Sequence, residues 1–132
     1  MIVPQKLYSE NIKMEQETRT QFESDLREWQ LHLSKPEVQI SSDARKFRDC
    51  DAYLRIKSLG VNALPHIRET YDKTGDISLD ILKVHCLASL VHEIIGSDFQ
   101  IPEEIRGRML DIQSYTMKWL DQNISRYSTS AS

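Results

Sequence analysis

His85 and His92 lie seven residues apart in a helix-forming stretch, so they fall on roughly one helix face, with Asp80, Cys86, Ser89 and Glu93 in the same segment. Imidazoles and carboxylates of this kind suggest metal ligation or proton transfer. A protein metal site needs three or four converging ligands, and no HExxH pair or comparable spacing occurs here. A second constellation is Cys50 beside Asp51, with His66 further on. It could serve as a thiol nucleophile with an imidazole base, provided that nearby positive charge or a helix N-terminus lowers the thiol pKa. Asp51 works against that, because a neighbouring carboxylate disfavours the thiolate. Neither set reaches a recognised catalytic pattern. The expectation is therefore no catalytic residue, no metal and no cofactor.

The elements that would hold these residues read as helices. From about Glu10 to Ser34 the chain lacks Gly and Pro and is rich in helix formers. Phe22, Leu26, Trp29 and Leu33 repeat at i, i+4, i+7, i+11, a heptad-like seam. They are the candidate interface, with a second copy of the chain as the expected cover. Lys35-Pro36 ends this helix. In the connector that follows, Ser41 or Ser42 is expected to cap a single turn through Phe47.

Residues 52–75 predict an αα-hairpin. Tyr53, Ile56 and Leu59 form one stripe, and Leu64, Ile67 and Tyr71 the next. Between them Gly60 is expected at positive φ, Asn62 as a cap and Pro65 in the first turn. Residues 76–95 predict a helix that is apolar nearly all round, capped by Asp76 or Ser78 and stopped at Gly96. A last helix is expected from Pro102 to about Asn123, with Gly107 as a costly interior residue.

The chain has 132 residues and a net charge of −3, so one domain with its own core is expected. Charge is evenly spread. Arg45, Lys46, Arg48, Arg55 and Lys57 cluster locally, but Asp43, Asp49 and Asp51 are interleaved with them, which predicts a solvated, ion-paired face. Two cysteines make no disulfide framework and suggest reduced thiols in a cytoplasmic protein. No segment reads as a membrane span or a signal peptide. The expected organisation is an irregular arm over 1–9, one helical domain over 10–124 and a disordered tail over 125–132.

From Asp51 to Asp121 the chain resembles a family of small uncharacterised prokaryotic helical proteins with a HEAT-like helical hairpin. The residues that carry the resemblance are Tyr53, the LGVNALPHI stretch from Leu59, Ile95-Gly96-Ser97-Asp98, Pro102, Gly107 and Trp119-Leu120-Asp121. It covers rather more than half of the chain. It implies a helical fold and no particular activity or site. The N-terminal helix and residues 73–79 lie outside it.

The fold expectation is thus all-α, a compact bundle of about five helices around a central HEAT-like αα-hairpin. The functional expectation is a small protein-interaction or regulatory module without catalytic activity, with a protein partner or self-association as a homodimer. Two alternatives stand beside it. One is a nucleic-acid-linked regulator using the basic cluster. The other is an enzyme with a Cys/His centre.

Overall fold

A computed structural model describes residues 5–127 of the chain, with side chains from residue 15 onward. The described residues form an all-α fold with no strand among them. Seven α-helical segments follow in order: α1 Gln5–Leu33, α2 Pro36–Gln39, α3 Asp51–Ser58, α4 Leu64–Thr70, α5 Ile77–Ile81, α6 Leu87–Ile95 and α7 Met109–Asn123. Short 3-10 turns link several of them, and a π-helical turn, Leu82–Cys86, joins α5 to α6.

The first helix begins earlier than its composition suggests. Gln5 to Ser9 are helical, which corrects the irregular arm for those positions, and residues 1–4 lie outside the described part. At the other end Ile124–Tyr127 forms a 3-10 turn, and the remainder of the expected tail is likewise outside it.

The seam of α1 is buried in its own chain. Phe22, Leu26, Trp29 and Leu33 are at most 2 % exposed, and α1 lies along α3. These four residues therefore belong to the core and are not open to a second copy. The indole N–H of Trp29 donates to the Phe47 carbonyl at 2.7 Å, and its ring meets Tyr53 edge-on at 5.2 Å. Beside the seam, buried Asp25 accepts from Arg55 at 2.8 Å and from Gln21 at 2.8 Å. Heptad spacing shows that a face must be covered; it carries no information about which chain covers it.

The segment 51–71 folds as helix, 3-10 turn, helix. Tyr53, Ile56, Leu64, Ile67 and Tyr71 are buried, as their spacing predicts, while Leu59, the last of the first stripe, is half-buried. The two helices find their main partners outside the pair: α3 on α1, α4 on α7. Arg19 of α1 bridges Glu69 at 2.8 Å, and the adjacent Arg68 bridges Asp121 of α7 at 2.7 Å. Asn62 makes no cap hydrogen bond, because residues 60–63 already wind as a 3-10 turn that runs straight into α4. The 3-10 turn of Ala44–Arg48 is capped by Asp43, not by Ser41 or Ser42.

Gly60 has φ +62°, and a Cβ built there would touch nothing within 4 Å. The cost of a side chain is then backbone strain alone. Gly60→Ala is expected to lower stability by about 1 kcal/mol. An unmoved urea midpoint would contradict this.

The π-turn explains the all-round apolar appearance of 76–95. Ser78, Leu79, Leu82 and Cys86 are one buried set; Leu87, Leu90 and Val91 are the next. On an unbroken α-helix the two sets would point apart by about one residue's rotation, roughly 100°. The Leu87 N–H bonds back to the Leu82 carbonyl, five residues earlier, so the turn absorbs one residue and brings both sets onto the core side. Asp76 caps the start, accepting from the Leu79 N–H.

The last helix starts at Met109, not at Pro102. Glu103–Ile105 make a single 3-10 turn, Arg106 is extended, and Gly107 has φ +83°. Gly107 is therefore a helix breaker outside α7, and it costs nothing as an interior residue.

Candidate functional site

The break at Gly107 leaves residues 100–109 as a wall standing opposite the π-turn and α6. Between them lies an open-sided groove of about 750 Å³. Its apolar lining is Ala44, Val84, Ala88, Ile101, Met109 and Ile112, and its polar lining includes Arg48, His85, Ser89, His92, Glu93, Gln100 and Arg106. π-turns inside α-helices recur at functional sites, and this one carries His85 to the groove.

Each polar group has a definite state. The His85 ring lies 5.5 Å from the Phe47 ring. His92 Nδ1 is 2.9 Å from the Phe99 carbonyl, so that nitrogen carries a proton and donates to it. Glu93 accepts from Arg48 at 2.8 Å and from the Tyr53 hydroxyl, with Lys57 at 3.4 Å. Burial pushes the Glu93 carboxyl up, but the Tyr53 hydrogen bond and the Lys57 and Arg48 charges outweigh it and hold the group below the usual carboxylate range. Tyr53 is raised in turn, first by burial and then by Glu93. Arg106 is exposed and makes no ion pair with any described residue.

His85 and His92 thus share the groove, as their spacing predicts, yet no three His, Cys, Asp or Glu side chains among the described residues gather to hold a metal ion. Cys50 and His66 are not brought together by any hydrogen bond. Burial pushes the Cys50 thiol up, with Asp49 and Asp51 adding to it against the N–H groups of Tyr53 and Ala52. Cys86 is buried, and that burial raises its thiol to about 12. Neither thiol is poised as a nucleophile.

His66 packs against Phe22 with ring centroids 5.5 Å apart, and its Nδ1 has no hydrogen-bond partner. Burial lowers its pKa, and the Arg19 charge adds to the effect. The unfolded chain therefore takes up this proton before the folded one does. Stability is fully present above the ordinary histidine value of 6.5 and is lost as pH falls from there through the lowered folded value. His66→Gln is expected to flatten the stability profile over that window in urea titrations run at several pH values. A wild-type slope that the variant keeps would rule this out.

The basic cluster is dispersed by pairing at all its members but Lys46. Arg45 holds Asp43, Arg48 and Lys57 share Glu93, and Arg55 holds Asp25 and Glu28. The acids interleaved in sequence supply only the first of these pairs. No described helix is long and apolar enough to cross a membrane.

Arg106 and Gly107 were not legible as site residues. The only signal was the oddity of a glycine inside an otherwise continuous helical stripe. No protein-family model, curated protein or solved structure matches the chain.

Proposed function

We propose that this protein is a non-catalytic interaction module that receives a segment of a partner protein in the groove between the π-turn, α6 and residues 100–109. The observation that supports this reading most is the groove itself, which sets apolar surface beside polar groups and is open to solvent. An open groove admits a chain running through it, whereas small-molecule pockets bury most of their ligand. The raised thiols speak against a cysteine enzyme, and the paired cations against a phosphate-tracking surface.

The test is to pan a displayed random-peptide library on the full chain and measure the selected peptides by calorimetry. Binding is expected for wild type and lost for Ala88→Trp, which fills the groove. Unaltered folding of that variant is checked by circular dichroism, and Met109→Ser, at a more exposed position, gives a milder second reading. Peptides that bind both variants as well as wild type would place the contact elsewhere and end the proposal.

A further inference from the structure

Charge at the groove lining differs from that of the chain as a whole. The whole chain is acidic at −3. The groove is lined by Arg48, Arg106, His85 and His92 and by one acid, Glu93. That acid is already occupied by Arg48, the Tyr53 hydroxyl and Lys57. Arg106 has no such partner among the described residues. A guanidinium at the edge of apolar surface offers paired donors suited to a carboxylate.

Resting on the groove reading above, we infer that the occupant is a partner segment presenting an Asp or Glu carboxylate beside apolar side chains, with Arg106 as the residue that selects the acid. The acidic remainder of the surface does not prevent this. Glu103 and Glu104 stand on the same wall but are exposed to water, and more distant acids are screened over about 8 Å at physiological salt, whereas Arg106 would act in contact. The apolar lining supplies affinity that is indifferent to sequence polarity; Arg106 supplies the preference.

The same peptide panning separates this inference from the reading beneath it. Peptides selected by wild type are expected to carry Asp or Glu next to Leu, Ile or Phe. Arg106→Glu should weaken them by about tenfold or more and, when panned itself, should select Lys- or Arg-bearing peptides. Arg106→Lys keeps the charge and loses the paired donors, so its binding should fall between that of wild type and Arg106→Glu. Arg106 is exposed, so these variants are expected to fold as wild type does. Selected peptides that lose binding to Ala88→Trp but show no acidic preference, or that bind Arg106→Glu unchanged, would overturn the acid selection and leave the groove standing. Failure of wild type to select any peptide would overturn both.

Discussion

Trp29→Ala is expected to remove about 3–5 kcal/mol of folding free energy. The indole is fully buried where α1 meets α3. Truncation empties its volume, removes the edge contact with Tyr53 and strips the Phe47 carbonyl of its donor. A domain of this size is stable by only about 5–15 kcal/mol, so the loss is a large fraction of the total. Trp29→Phe keeps a ring and loses the donor, and it should fall between the two. Equilibrium urea unfolding measures all three. A Trp29→Ala loss below about 1 kcal/mol would show that the α1 seam is not part of the cooperative core.

Leu90→Ala is expected to cost about 2–5 kcal/mol by the same cavity mechanism. Leu90 is fully buried on α6, the helix that touches α3, α7 and the 60–63 turn together. No flexible edge is available to collapse into the void. The measurement is again the urea midpoint, with Leu90→Met as the volume-conserving control, expected to cost less than about 1.5 kcal/mol. Equal losses for Ala and Met would mean that shape, not volume, is being read there.

What could be seen in the sequence was local. The seam of α1, the stripes of α3 and α4, the positive φ of Gly60 and the Asp76 cap each depend on a few neighbouring residues, and each is present in the structure. What could not be seen depends on distant packing. Glu10 as a helix start and Asn62 as a cap were local guesses overruled by the continuous winding around them. Pro102 with two acids after it is a fair helix start, but the backbone at Arg106 and Gly107 turns away before a second turn can form. The groove combines that break with the π-turn, and neither is marked by a motif. His85 and His92 were visible as a pair; the apolar lining and the unpaired Arg106 that give their surroundings meaning were not.

The π-turn also decides where this chain can change in length. Insertions and deletions are usually absorbed in loops, because nothing downstream depends on how many residues a loop contains. The stretch Asp72–Gly75 is of that kind. Between Leu82 and Cys86 the number of residues is itself structural. One residue fewer would restore ordinary helical pitch with both buried sets still on one face, because the turn holds the one extra residue. Leu87, Leu90 and Val91 would stay on the core side, and the loss would be the local bulge that carries His85 to the groove. The turn is therefore a point inside a helix that can lose one residue, whereas the same deletion within α6 would swing everything after it by roughly 100°.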